Sequence, residues 1–293
     1  MLSQALEELI AANRLERLDE NLFRGYGTWG PRTRLYGGQI LAQTMSAAQQ
    51  SAPVEFQIHS MHAYFVRAGD PAQAVIYHVE PLSDGKSFCT RAVTARQGGK
   101  AILKAQFSLH RHEEGFEHQA PMPAAPGPEG LQNESQIRHS VGFDSPDSAV
   151  GAHMLHLPFE WPIEHWIVSP ADLINPQSQE PSNQVWLRAT GPLPDDPALH
   201  MQLLAFASDH NLLIAALRPH AVSIASPGLQ IASLDHAMWF HRPFRIDDWL
   251  LYVSESPSAS HALGFATGRI YTRDGTLVAS VAQEGLIRMR SRV

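Results

Sequence analysis

An α+β fold made of two copies of one unit is what this sequence predicts, each copy a long helix laid against an antiparallel sheet. Three observations predict it. Each half holds a helix-forming run and several β-rich segments cut by turn residues. A proline-rich stretch of different composition separates the halves. Short pieces of sequence also recur. Tyr64-Phe65-Val66-Arg67 resembles Trp239-Phe240-His241-Arg242, and Phe88, Thr90, Arg96 and Gly99 lie close to the spacing of Phe265, Thr267, Arg273 and Gly275.

In chain order, the first twenty residues place Glu7 and Glu8 among leucines and lack a basic leader. They read as an amphipathic helix, not as a signal peptide. Leu22 to Gly30 reads as a short strand and turn. The run that opens at Gly37-Gly38, rich in Gln, Ala, Leu and Met, is expected to be a helix ending before Pro53. Strands are expected over 57–67, 75–81, 87–97 and 101–110, separated by Gly69-Asp70-Pro71, Asp84-Gly85 and Gly98-Gly99. From Glu113 to about Val150 no hydrophobic period is visible, and four prolines fall between Pro121 and Pro128. This defines a first unit at 1–112, a linker at 113–150 and a second unit at 151–293. The second unit should hold strands at 160–168 and 184–190, one helix from about Pro197 to Leu217, and strands at 231–242, 249–255, 263–272 and 277–288.

Composition narrows the function classes. The chain has 293 residues, 44% hydrophobic and 17% charged, enough for a large core. Net charge is −7 with no Lys/Arg run, which argues against a nucleic-acid partner. The single cysteine, Cys89, rules out an intramolecular disulfide and suits a reducing cytosol. No apolar run approaches the roughly 20 residues that cross a bilayer. A soluble, cytoplasmic protein is the expectation.

The densest polar chemistry in a strand-like stretch lies between Ile231 and Phe244, with Ser233, Asp235, His236, His241 and Arg242 set among Met238, Trp239 and Phe240. In a regular pleat Ser233, Asp235 and Ala237 share one face and His236 takes the other. Asp209 sits inside an apolar helical run, where its plain reading is a residue that caps or breaks the helix. Gln283, among Ala, Val and Leu, could equally be an edge-strand amide facing solvent. Covalent catalysis by Ser233 would need an adjacent base, and no G-x-S-x-G elbow is present.

Other patterns carry less. The sixteen histidines include the close pairs His59/His62, His110/His112 and His236/His241, but no H-E-x-x-H and no Cys/His ligand set, so no metal and no cofactor are expected. Residues 25–30 spell G-x-G-x-x-G without a helix directly after or an acid at the expected distance, a false match to a dinucleotide site. Asn133-Glu134-Ser135 matches a glycosylation sequon that has no secretory context.

Several longer motifs resemble the acyl-CoA thioesterase II family, whose fold is the double hotdog. They are SDHNLL at 208–213, QIASLDHAMWFHRPF at 230–244 and VASVAQEGLIR at 278–288. In the first half YGGQILAQ at 36–43, HSMHAYFVRAGD at 59–70 and GFEHQAPMPAAPGPEGL at 115–131 are similar to family sequence too. The resemblance implies hydrolysis of fatty acyl-CoA to free acid and coenzyme A by an activated water, with no covalent intermediate. It puts the catalytic constellation on Asp209, Ser233 and Gln283. Many members have Thr where Ser233 stands, so the hydroxyl is kept and rotamer restraint is reduced. Gly37 and Gly38, at a helix N-terminus, are candidates for donors to the thioester oxygen. His62 and His241, which flank matching strands, are candidate substrate contacts, and Arg67 and Arg242 are candidates for the coenzyme A phosphates. The ending Ser291-Arg292-Val293 is a poor match to a peroxisomal tripeptide. A homo-oligomer, dimer or tetramer, is expected of hotdog units. The competing reading is an acyl-CoA-binding or sensing protein without turnover; a hotdog hydratase would need an Asp/His pair that is not apparent.

Overall fold

In the computed structural model, residues 2–29, 34–142 and 161–290 are described. The first unit comprises α1 (Gln4–Asn13), β1 (Glu16–Asp19), β2 (Leu22–Gly25), α2 (Gly37–Gln50), β3 (Phe56–Phe65), β4 (Val75–Asp84), β5 (Phe88–Gln97) and β6 (Lys100–Arg111). After a crossing segment come β7 (Gln132–Asn133) and α3 (Glu134–Ser140). The second unit comprises β8 (Ile163–Ile167), β9 (Ser182–Ala189), α4 (Pro197–Ser208), α5 (Ile214–Leu217), β10 (Leu229–Ser233), β11 (Asp235–Phe240), β12 (Leu250–Ser260), β13 (Leu263–Thr272) and β14 (Leu277–Met289).

These strands form one antiparallel sheet in the order β1-β2-β4-β5-β6-β3-β11-β14-β13-β12-β9-β8-β7, with β10 pairing β14 next to β11. The halves meet where β3 pairs β11. Asp235 lies opposite Tyr64 and Trp239 opposite Ser60. That register exchanges residues 60–64 with 235–239 across an approximate two-fold axis, so the recurring YFVR and WFHR occupy equivalent places. Alternation in β3 resets at an irregularity between Ile58 and Ser60: Phe56 and Ile58 are buried before it, Met61 and Ala63 after it, and Gln57, His62 and Tyr64 are exposed.

Helices α2 and α4 fill the concave side. From Gly38 to Ala48 every residue of α2 is buried, including Gln39, Gln43, Thr44 and Ser46. Buried polar groups need partners, and these have them. Gln39 Oε1 accepts from the Thr28 and Trp29 amides at 3.0 and 2.9 Å, and Gln43 Nε2 donates to the Ala12 and Tyr26 carbonyls. The amides thus hold the loop after β2, the stretch that spelled a false nucleotide motif. Helix α4 starts with Asp196 as N-cap, its carboxylate accepting from Ala198 and Leu199 N–H, and Pro197 in the first turn. Leu203, Leu204 and Phe206 of α4 are fully buried. Among the described residues no helix is long and apolar enough to cross a membrane.

Two expectations are corrected, and the expected linker gains detail. The expected helix 197–217 is interrupted between α4 and α5. The expected strand 231–242 is two strands, β10 and β11. The expected linker 113–150 is not featureless. Its proline stretch lies on the second unit, with Trp186 Nε1 donating to the Pro126 carbonyl at 2.8 Å and Gln119 bridging Gly275 and Leu277. It then forms β7 and α3, and α3 opens with a capping box in which Asn133 and Gln136 satisfy each other's amides. The apparent sequon was a helix start. The rest of that linker, with residues 151–160 of the second unit, lies outside the described residues.

Candidate active site

Asp209 is the C-cap of α4. Asn211, two residues on, is left-handed with φ 68°, which ends the helix there. The plain reading therefore holds: the aspartate ends the helix, and ending it frees the carboxylate to project.

Ser233 and Gln283 reach that carboxylate from the sheet. Ser233 Oγ donates to Asp209 Oδ1 at 3.0 Å. Gln283 Nε2 donates to the same Oδ1 at 3.2 Å and to Ser233 Oγ at 2.5 Å. Gln283 is buried, while Asp209 and Ser233 are partly exposed. Asp209 Oδ2 has no hydrogen bond among the described residues and faces the start of α2. A Cβ built on Gly37 would lie 2.6 Å from it and 2.9 Å from the Phe65 ring. At Gly38 a Cβ would lie 2.3 Å from the Phe206 carbonyl oxygen. Both glycines permit this close approach. Tyr36, the N-cap of α2, makes no side-chain cap bond; its hydroxyl donates to the Phe206 carbonyl at 2.9 Å. The first-turn amides of α2 thus lack a side-chain cap, and the start of the helix lies beside Asp209.

A fourth residue completes the arrangement, and sequence reasoning had turned it away. His236 is fully buried. Its Nδ1 lies 2.6 Å from Gln283 Oε1 and its Nε2 lies 2.9 Å from Ser208 Oγ. The cause is a bulge. Along β10, Ser233 pairs Gly285; along β11, Ala237 pairs Ala282. Four steps on one strand oppose three on the other, with Leu234 as the extra residue. The slip resets the pleat, so Ser233 and His236 both serve the site. Since Gln283 points its NH2 at a carboxylate and a hydroxyl, its carbonyl oxygen faces the ring. His236 must then carry its proton on Nδ1 and accept from Ser208 at Nε2. Burial holds His236 below the ordinary imidazole range, against the upward pull of Asp209 and of the Gln283 bond. The neutral ring that this tautomer needs is the favoured form. Only the exception to alternation hid this residue, and no sequence signal marks a bulge at Leu234.

The remaining expected contacts are not joined to the triad by hydrogen bonds. His62 lies on the exposed face, packed edge-on against Trp239 at 5.1 Å between centroids. His241 bonds Ser280 Oγ at 2.8 Å, and Arg242 donates to the Leu277 and His118 carbonyls. Both line a groove of about 1490 Å³ that reaches Pro197 and His200 and includes no triad residue. Pro197 starts α4 and Asp209 caps its end, about 18 Å away at 1.5 Å per residue. The groove lies at the end of α4 opposite Asp209. Arg67, by contrast, follows Phe65, whose ring borders Gly37, and its exposed guanidinium bonds the Ala101 carbonyl.

Residues 158–286 match the family model described as acyl-CoA thioesterase, and residues 26–110 match that of the acyl-CoA thioesterase N-terminal domain. The chain is 42% identical to acyl-coenzyme A thioesterase 8 of Mus musculus, across 95% of this chain and 88% of the relative. This chain belongs to the acyl-CoA thioesterase family. With that it belongs to the thioester hydrolases. It is also 36% identical to acyl-CoA thioesterase 2 of Haemophilus influenzae, over 98% and 99% of the two chains. Its backbone matches an acyl-CoA thioesterase II from Mycobacterium marinum with TM-score 0.78 and 38% identity, over 98% of this chain and 99% of that one. A hot dog fold protein from Alicyclobacillus acidocaldarius, 20% identical with TM-score 0.75, agrees in fold. The double hotdog arrangement is thus the fold of this acyl-CoA thioesterase family member.

Proposed function

We propose that the chain hydrolyses fatty acyl-CoA by direct attack of a water activated by Asp209, Ser233 and Gln283. The observation that carries this is the division of labour at the carboxylate. Ser233 and Gln283 both donate to Oδ1, which fixes the rotamer, and Oδ2 is left to accept a proton. Water attacks the thioester carbon as Asp209 takes its proton. The tetrahedral oxyanion receives hydrogen bonds from the first-turn amides of α2, at the positive end of the helix dipole. Collapse breaks the carbon–sulfur bond, leaving the free acid and a thiolate that takes the proton back as coenzyme A thiol. Arg67 at the site's edge is the better placed of the two arginines for a phosphate, because Arg242 is committed to two carbonyls near the far groove.

The same reading keeps the division into units 1–112 and 151–293 with the linker between them. It also carries a cytoplasmic location, supported by the buried free thiol of Cys89, and a homo-oligomer, which light scattering would measure.

A positioned base contributes about 10²–10⁴-fold. Asp209→Ala should lower kcat by at least about a hundredfold in a thiol-release assay, with the circular dichroism spectrum unchanged. Ser233→Thr should stay active and Ser233→Ala should not. A burst of free thiol with acyl group retained on the protein would mean covalent catalysis and end the water mechanism. Protection of the thioester without thiol release would instead favour a binding protein.

A further inference from the structure

We propose that Glu134, His165 and His210 form a binding site for one divalent transition-metal ion of the zinc class. The three come from α3, β8 and the turn after Asp209, far apart in sequence. Their ligand atoms all lie within 4.8 Å of one another. His210 Nε2 is 2.7 Å from Glu134 Oε2, and the His165 and His210 ring centroids are 4.8 Å apart.

The state of His165 points to a ligand rather than to a plain ion pair. The side chain is only 4% exposed, and its Nε2 has no hydrogen-bond partner among the described residues. Among the backbone groups around the ring, the Ile163 carbonyl favours its protonated form. With Nε2 unpartnered, a proton on Nδ1 leaves the lone pair on Nε2 for a ligand. A buried histidine with an unpartnered ring nitrogen, grouped with a carboxylate and a second imidazole, has the neighbours a metal-binding histidine has. Left alone, a buried acceptor without a donor is costly.

Protonation suits the same reading. Burial, then the neighbouring His210, lowers His165 to about 3. For Glu134, burial pushes up most strongly, but His210, His165 and Arg138 together outweigh it, and the carboxyl sits at about 2. At neutral pH His165 is neutral and Glu134 ionised, the forms a metal takes. Two imidazoles and one carboxylate are the donor set of open zinc sites and of non-haem iron sites. Bonds of about 2.0–2.2 Å in a tetrahedron place donors about 3.4 Å apart. The 2.7 Å pair opens and the widest separation closes by about 1 Å, a rotamer-scale adjustment. Trp161, its ring 4.5 Å from that of His210, walls one side.

This site is separate from the triad chemistry and does not depend on it. The test uses the full chain, dialysed against chelator and titrated with Co(II), then with Zn(II). The expected result is one equivalent per chain with the intense visible bands of a tetrahedral cobalt centre, displaced by zinc. His165→Ala and Glu134→Gln should each abolish the bands and weaken zinc binding at least about a hundredfold, since loss of a mere outer-shell partner already costs 10–100-fold. His59→Ala, at the far groove, should change neither, which separates this site from adventitious binding by other histidines. Circular dichroism checks that each variant is folded. A wild-type protein without the cobalt bands, or folded His165→Ala and Glu134→Gln that both keep them, would overturn the proposal.

Discussion

A glutamine amide has nearly the same shape either way round and opposite hydrogen-bonding at its two ends. Gln283 serves Asp209 only with its NH2 toward the carboxylate, and the group that enforces this is His236 Nδ1–H at 2.6 Å. His236→Leu should remove that enforcement while keeping the bulk of the ring's neighbourhood filled. The amide then samples the inverted orientation, which turns an acceptor toward Asp209. A neutral hydrogen bond is worth about 0.5–1.5 kcal/mol, so kcat should fall up to about tenfold with KM little changed. A change confined to KM would assign His236 to substrate binding instead. At this scale the motifs made Asp209, Ser233 and Gln283 legible in the sequence. They did not reveal His236, because alternation puts it on the opposite face and the extra residue at Leu234 leaves no compositional trace.

Elements set how closely those side chains approach. The α2 N-terminus reaches the carboxylate only because residue 37 has no Cβ. Gly37→Ala would place a methyl 2.6 Å from Asp209 Oδ2 and 2.9 Å from the Phe65 ring, inside normal contact on both sides. Neither neighbour yields freely, since Asp209 Oδ1 is held by two donors. This variant should lose at least about tenfold in kcat while unfolding near the wild-type temperature, because the crowding falls on the site and not on the core. A full loss of cooperative unfolding would show that Gly37 is structural. The start of α2 was readable from its glycines and composition. The break after α4 was half readable: Asp209 and Asn211 are poor helix residues, but the apolar run on either side outweighed them. The helix α3 was written plainly as N-x-x-Q and was obscured by the proline-rich segment before it.

Across the whole molecule, several imidazoles are held in the neutral form. Burial lowers His59, His200, His236 and His241 below the ordinary 6.5, with His110 adding to it at His59, Arg245 at His200 and Arg242 at His241. The unfolded chain takes up these protons near 6.5, and the folded chain only at lower pH. Below about 6.5 the unfolded state therefore binds more protons, and stability falls as pH falls, by up to about 1.4 kcal/mol per pH unit for each proton. Chemical denaturation at pH 7.5, 6.5 and 5.5 should give midpoints that fall modestly from the first to the second and more steeply to the third. A flat profile would mean that these rings are protonated in the fold. Fold class, duplication and the boundaries of most strands were legible in periodicity and turn residues. The continuity of the sheet was not, because pairing between β3 and β11 joins residues about 175 positions apart and no local pattern encodes it.

That shared strand pair has a further consequence. By the exchange across β3 and β11, Ser233 corresponds to Ile58, and the neighbours His236 and Gln283 correspond to Met61 and Phe107, which face each other in β3 and β6. Where one end of the molecule keeps a donor–acceptor chain, the other keeps hydrocarbon. Two separate identical subunits could not diverge in this way, because any replacement would appear at both ends at once. Joining them covalently releases each lobe to mutate independently: one holds the polar chain, and its twin fills the same positions with packing.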